Sequence, residues 1–382
     1  MTAIQQSPPQ RLLTECQGVG GLLEETQLGT VFLVADALGF EASGAENILE
    51  PILRERLAGK FAVTEPNPQW LNVLECARAI SDSGADAVLA VGGGTAMDTA
   101  KLADWLSVQN NPETILESIP ETPALAPPLI AIPTTAGSGA EATHFAVLYR
   151  EGQKHSVAHE TLRPAVAVVD PVLTANLPPA LTAHSGLDAL CQAIESIWSI
   201  RATEDSLYPA TAALALAWQH LEAAVNDPTP ADRSAMTWAS HLAGQAINLT
   251  QTTAPHALSY TLTSKFGIPH GAVVALTLGP VLAFNAQVTK ANCADPRGPE
   301  AVRGRLQTIF EALGAKDVDE AEALFRRKVE AVNCATTLAG AGVLSEGAVE
   351  PICSQVNLQR LANNPRRMTE EDMRKILEAI IE

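Results

Sequence analysis

Gly92-Gly93-Gly94-Thr95-Ala96-Met97-Asp98-Thr99-Ala100-Lys101 follows directly on an apolar run, Ala87-Val88-Leu89-Ala90-Val91. The run reads as a buried strand and the polar stretch after it as a helix. A strand that ends in glycines where a helix starts is an arrangement for holding phosphate. Glycine lets the backbone approach an anion closely. The free N–H groups and positive end of the helix then favour negative charge. A tight strand-to-helix turn with no ligand fits the same ten residues.

Working outward, strand-like runs at Thr30–Ala35, Phe61–Thr64, Pro128–Ile132, Phe145–Tyr149 and Ala165–Val169 alternate with helical spacing in Gly44–Leu57, Gln69–Asp82 and Met97–Ser107. Such alternation implies a mostly parallel sheet covered on both faces, with ligands at the carboxyl ends of its strands. Asp36 stands at a second such end. It can accept hydrogen bonds from an adenosine ribose and repel a 2′-phosphate, favouring NAD over NADP, or it can be a turn aspartate. The wiring is not the ordinary dinucleotide fingerprint. Met97 occupies the third glycine position, and the acidic residue precedes the glycines. A third end, Thr134-Thr135-Ala136-Gly137-Ser138-Gly139-Ala140-Glu141-Ala142-Thr143, offers hydroxyls and small residues, either for a loop running close to a ligand or for a purely structural one.

Past Leu177-Pro178-Pro179 strand signals fade. Helical spacing covers Asp188–Ser199, Ser206–Val225, Ala231–Asn248, Ala272–Asn285, Pro299–Leu313, Asp317–Val332 and Thr369–Ile381. The fold class is therefore an α/β N-terminal dinucleotide-binding domain, residues 1–180, followed by an all-α C-terminal domain, residues 181–382.

The chain has 382 residues, 47% hydrophobic and 18% charged, as expected of a globular protein. A formal charge of −18 argues against a nucleic-acid partner. The six scattered cysteines contain no CxxC pair. Met1–Gln10 shows no basic and apolar leader, and no apolar run approaches the roughly 20 residues that span a bilayer. The expectation is a cytoplasmic protein with no membrane partner.

Chemistry in the second half concentrates in Asp188 with Gln192, four apart on one helical face, in His256, and in Ile268-Pro269-His270-Gly271. Two imidazoles, a carboxylate and an amide oxygen suit a divalent cation such as Fe²⁺, Zn²⁺, Mn²⁺ or Ni²⁺. Each residue alone also has an ordinary reading, as a satisfied histidine or a helix cap. His184, four before Asp188, is the rival ligand, set lower because it falls before the helical pattern.

The glycine turn, the Thr134–Thr143 loop, Gly186-Leu187-Asp188-Ala189-Leu190 and the stretch from His256 to Pro269-His270-Gly271 together resemble the iron-containing (group III) alcohol dehydrogenases, which share a fold with dehydroquinate synthase and glycerol dehydrogenase. Thr253-Ala254-Pro255-His256-Ala257-Leu258-Ser259-Tyr260 and Phe266-Gly267-Ile268-Pro269-His270-Gly271 look most like the phosphonoacetaldehyde reductase branch.

The resemblance implies a NAD(H)-linked reductase of a small aldehyde, acting as a homodimer with its active site between the two domains. Gly92, Gly93, Gly94 and Thr95 would hold the pyrophosphate with Asp98 nearby. Thr134, Thr135 and Ser138 would flank adenine and nicotinamide, Lys154 would lie by the nicotinamide ribose, and Asp36 by the adenosine ribose. Asp188, His256 and His270 match three of the family's metal ligands, Fe²⁺ being the first expectation. Gln192 stands where the family has a fourth ligand, a histidine, and Tyr260 where many members carry a proton-transfer histidine. A tyrosine takes that role only if its pKa falls well below its usual ~10. Phosphonoacetaldehyde is one possible substrate; sulfoacetaldehyde and neutral aldehydes or ketones are others, as is a non-catalytic binding protein on the same fold. An anionic substrate needs a cation, and Lys265 is the candidate, with Arg360 and Arg366 behind it.

Overall fold

The computed structural model describes residues 9–114, 124–343, 347 and 349–382. Met1–Gln10, read above as lacking a leader, falls outside these residues except for its last two. The described chain divides into two compact units, 1–135 with 139–177, and 136–138 with 178–382.

The first unit holds the strands β1 (Arg11–Leu13), β2 (Val31–Asp36), β3 (Leu57–Val63), β4 (Ala87–Gly92), β5 (Leu129–Pro133), β6 (Phe145–Arg150), β7 (Gln153–Ala158) and β8 (Val166–Val168). Its helices are α1 (Gly18–Glu25), α2 (Gly39–Ala42), α3 (Ala45–Leu53), α4 (Trp70–Ser83) and α5 (Gly94–Ser107). Six strands make one sheet in the order β1-β8-β5-β4-β2-β3, every pairing parallel. Alternation along β2 shows why both faces are covered. Phe32 and Val34 pack with Trp70, Ala100 and Leu106 of α4 and α5, whereas Val31, Leu33 and Ala35 pack with Val19 and Leu49 of α1 and α3.

Phe145–Tyr149, expected within the alternating sheet, instead forms an antiparallel hairpin with β7. The stretch read as one helix over Gly44–Leu57 is shorter: α3 ends at Leu53, and Leu57 already starts β3. Gly44 at φ 78° separates it from α2.

The second unit is helical: α6 (Pro179–Trp198), α7 (Glu204–Asn226), α8 (Pro230–Thr250), α9 (Ala254–Phe266), α10 (His270–Ala286), α11 (Pro299–Leu313), α12 (Val318–Ala331), α13 (Val349–Ser354), α14 (Leu358–Leu361) and α15 (Glu370–Glu378). Helix α6 runs through its centre, Leu187, Leu190, Ile194 and Trp198 being wholly buried against α7, α8 and α10. It begins nine residues before the expected Asp188, because Pro179 sits at the first helical position, where its missing N–H costs nothing. Helix α9 was not expected at all. No described helix is long and apolar enough to cross a membrane.

Candidate metal centre and dinucleotide site

In the second unit, α6 carries Asp188, Gln192 and Glu195 at spacings of four and three, which puts all three on one face. Helix α9 brings His256 in its first turn, and α10 starts with His270. One ligand atom from each of Asp188, His256 and His270 lies within 4.8 Å of the others. His256 Nε2 is 3.2 Å from Asp188 Oδ1 and His270 Nε2 is 4.0 Å from the same oxygen.

The close approach depends on Gly271. A Cβ there would lie 1.9 Å from the carbonyl oxygen of His184 and 3.0 Å from the amide nitrogen of Asp188, so only glycine lets α10 press onto α6 at this level. His184 itself stands inside α6, one turn before Asp188, but does not join the cluster.

Burial disfavours the ionised form of Asp188. The hydrogen bond from His256, the charges of His270 and His256 and the Gln192 amide outweigh that and lower its pKa. Burial likewise works against charged His256, but Glu195 and Asp188 raise its pKa to about 9. The site therefore attracts positive charge. Gln192, 4% exposed, gives its amide N–H to Asp188, while its Oε1 is buried and accepts no hydrogen bond. A buried acceptor left so costs about 1–3 kcal/mol. A divalent cation beside Asp188 would satisfy it, so the residues present fit the metal that the resemblance implies.

Two contacts orient the imidazoles. His256 Nδ1 donates to Glu195 Oε2, and His270 Nδ1 lies 3.4 Å from Ser259 Oγ, which donates to His256 O. Glu195 went unnoticed in the sequence, where it reads as a stray charge in an apolar helix. Its position seven after Asp188 was the available signal.

Tyr260 follows His256 by one turn. Burial raises its pKa, against the pull of Arg360, which shares a hydrogen bond with it. That is the wrong direction for a tyrosine serving as proton donor. Arg360, 7% exposed, is on α14, packed on α9. Lys265 is exposed in the last turn of α9, nine residues past His256 and so half a turn round the helix from it. The structure thus places the expected anchor on the face opposite to His256. Arg366 donates to Phe284 O and stacks on the Phe284 ring at 3.7 Å.

In the first unit, β2, β4 and β5 end side by side and bring Asp36, Gly92, Gly93, Gly94, Thr95, Thr134 and Thr135 together. Gly92 has φ 146°, and a Cβ on it would lie 2.7 Å from the Cβ of Asp36. Gly93 is the N-cap of α5, which starts at Gly94, so the amides of the first helical turn are not used by the helix itself. That is the cradle a pyrophosphate requires. Thr134 N donates to Gly92 O at 2.9 Å, Thr135 lines Gly93, and Thr95 Oγ1 accepts from Asn67 N at 3.3 Å. Asp36 Oδ1 accepts from Leu38 N and Gly39 N at 3.0 and 2.8 Å, so the residue also shapes its own turn.

Asp98, expected beside the pyrophosphate, accepts from Val147 N at 2.9 Å and so ties α5 to the hairpin. Burial raises its pKa to about 6 against the opposing pull of Lys101 and Lys154. Lys154 belongs to β7 of that hairpin. Residues 136–138, which include Ser138, cluster with the second unit. There a Cβ on Gly137 would lie 2.6 Å from the Cβ of Ser185 on α6.

The family described as iron-containing alcohol dehydrogenase matches residues 9–171, and the C-terminal domain of the Fe-containing alcohol dehydrogenase family matches residues 182–381. A phosphonoacetaldehyde reductase of Streptomyces viridochromogenes is 38% identical over 316 residues, covering 80% of this chain and 79% of its own. A sulfoacetaldehyde reductase of Bilophila wadsworthia is 33% identical over 337 residues, covering 84% of each. The crystal structure of sulfoacetaldehyde reductase from Bifidobacterium kashiwanohense in complex with NAD⁺ superposes with a TM-score of 0.86 at 28% identity, covering 100% of this chain and 99% of that one. With a dinucleotide-type sheet, a buried Asp–His–His cluster and both family domains in order, the chain belongs to the iron-containing alcohol dehydrogenase family.

Proposed function

We propose that this protein reduces a small aldehyde to the alcohol with NADH, using a divalent cation held by Asp188, Gln192, His256 and His270. The buried Oε1 of Gln192, without a hydrogen-bond donor on a residue bonded to Asp188 of the Asp–His–His cluster, carries this reading. When bound, the cation supplies Lewis acidity toward an aldehyde oxygen and the reduced nicotinamide supplies the hydride.

The chain's own residues do the rest. The amides at the start of α5 receive the pyrophosphate, and Asp36 meets the adenosine ribose through the oxygen its turn does not use, favouring NADH over NADPH. Glu195 and Ser259 hold the two imidazoles in place. Thr134, Thr135, Ser138 and Lys154 remain the residues proposed around the adenine and nicotinamide. Iron is the first candidate. The Gln192 oxygen in place of an imidazole moves the donor set toward ions that prefer oxygen, Mn²⁺ and Fe²⁺ ahead of Zn²⁺.

The proposed substrates are aldehydes bearing a phosphonate or sulfonate. The similarity to two such reductases supports this, and so does a buried arginine next to Tyr260, one turn from His256. Arg360 takes over the anchoring role first given to Lys265. Tyr260 is assigned to the wall of the site.

The test is NADH oxidation with phosphonoacetaldehyde, sulfoacetaldehyde and neutral aldehydes, after chelation and after return of each metal. Turnover restored by metal, with a lower KM for the anionic aldehydes, is expected. Full activity after complete metal removal would refute the metal assignment, and equal KM values across the panel would refute the anionic class.

A further inference from the structure

Glu195 has no exposed surface, and both its carboxylate oxygens accept hydrogen bonds. Oε1 accepts from Thr253 N and Thr253 Oγ1, both at 2.8 Å, and Oε2 accepts from His256 Nδ1. The Thr253 hydroxyl is itself fixed, since Trp198 Nε1 donates to it at 2.8 Å. Thr253 is also the N-cap of α9, so the carboxylate stands at the positive end of the helix that carries His256. The contacts run from Trp198 through Thr253 and Glu195 to His256 without a gap, and His256 Nε2 then meets Asp188.

This arrangement dictates which nitrogen of His256 is left for a cation. A carboxylate can only accept, so Glu195 holds a proton on Nδ1, and Nε2, which donates to Asp188 in the metal-free protein, is the nitrogen whose proton a cation would displace. The same chain of contacts bears on charge. Gln192 contributes none, which leaves Asp188 as the single carboxylate among the four proposed ligands.

We propose that Glu195 is a positioning residue of the metal centre. By holding the Nδ1 proton of His256 it presents Nε2 to the cation, and its charge makes up for the neutrality of Gln192. The proposal rests on the metal reading given above. A purely structural role, clamping the start of α9 onto α6, would require the same burial but would leave metal affinity and the His256 tautomer indifferent to the charge.

Glu195→Gln separates the two. A glutamine whose Oε1 stays on Thr253 turns an N–H toward His256 Nδ1. That removes the Nδ1 proton and leaves the imidazole proton on Nε2, facing Asp188. The metal-free protein is titrated with Co²⁺, followed by its visible absorption, and the His256 tautomer is read by ¹⁵N NMR. The expected result is Co²⁺ affinity lower by roughly 10–100-fold, with the proton on Nε2. Glu195→Asp, which keeps the charge, should retain the Nδ1 proton and fall between native and Glu195→Gln. It carries the test if the glutamine variant does not fold. If the native protein binds Co²⁺ and Glu195→Gln or Glu195→Asp binds it equally well, Glu195 is only a clamp and the proposal fails. If the native protein binds no Co²⁺, the metal reading falls and takes this one with it.

Discussion

Gly271→Ala tests the packing on which the donor cluster depends. The new Cβ would sit 1.9 Å from His184 O and 3.0 Å from Asp188 N, where ordinary contact begins at 3.4 Å. Both neighbours are backbone inside α6 and cannot rotate aside. The start of α10 must therefore move away by roughly 1.5 Å, to ordinary carbon–oxygen contact distance. Overpacking of this kind costs about 1–3 kcal/mol. The effect on the site is larger. His270 is the residue just before Gly271, and metal–ligand distances tolerate only about ±0.2 Å. Co²⁺ affinity is expected to fall at least ~100-fold, a loss of about 2.8 kcal/mol at 1.4 kcal/mol per decade. Urea denaturation of the metal-free protein should show the packing cost separately. Gly304→Ala is the contrast. It lies on the exposed side of α11 with nothing within 4 Å, so the same chemical change should stabilise by roughly 0.5–1 kcal/mol. Native Co²⁺ affinity and an unshifted urea midpoint in Gly271→Ala would refute the idea that α10 is seated by this glycine.

Gln192→His replaces the orphan oxygen with an imidazole and should tighten Zn²⁺ binding by at least ~10-fold relative to Mn²⁺; an unchanged Zn²⁺/Mn²⁺ ratio in chelator competition would show that Gln192 is not a ligand. Arg360→Ala should raise KM for phosphonoacetaldehyde by roughly 10-fold or more while sparing a neutral aldehyde, and Lys265→Ala should do neither; the reverse pattern would return the anchor to Lys265. Acid stability has a predicted sign. Hydrogen bonds from His220 and Thr229 hold the Asp232 carboxyl down at about 2, so its contribution is full above the ordinary carboxylate range and is lost as pH falls toward that value. The difference in urea midpoint between native and Asp232→Asn should shrink from pH 5 to pH 2.5, and a constant difference would contradict the assignment.

Much of the first unit was legible because β2, β4 and β5 are short apolar runs that lead into aspartate, glycine or threonine. β7 escaped notice because Gln153-Lys154-His155-Ser156 is polar and lies in a two-stranded hairpin, half of it exposed. α9 escaped because Pro255, four threonines or serines and Tyr260 within Ala254–Phe266 weaken helix propensity, while burial of its first half on nearly every side erases the amphipathic period. His256 could therefore be named from its type and surroundings but not placed on a helix. The early start of α6 was hidden because Leu177-Pro178-Pro179 reads as a linker until Pro179 is taken as the first helical residue. Lys265 shows the limit of reading along the chain. Proximity in sequence suggested an anchor, and a half turn of helix put the charge on the other side.

The pairing of β1 with β8 has a consequence for how the chain comes to be folded. Arg11 takes Val166 as its register partner, and nearly the whole first unit lies between them. β2, β3, β4 and β5 find their partners within the chain that precedes β8, so the strands bearing Asp36 and the glycine turn can assemble while synthesis continues. β1 must wait, and until β8 arrives the β5 edge stays open. Such distant pairing closes late and slowly. A nascent chain halted before residue 166 would present an unfinished parallel edge, the kind of surface that recruits chaperones or other strands.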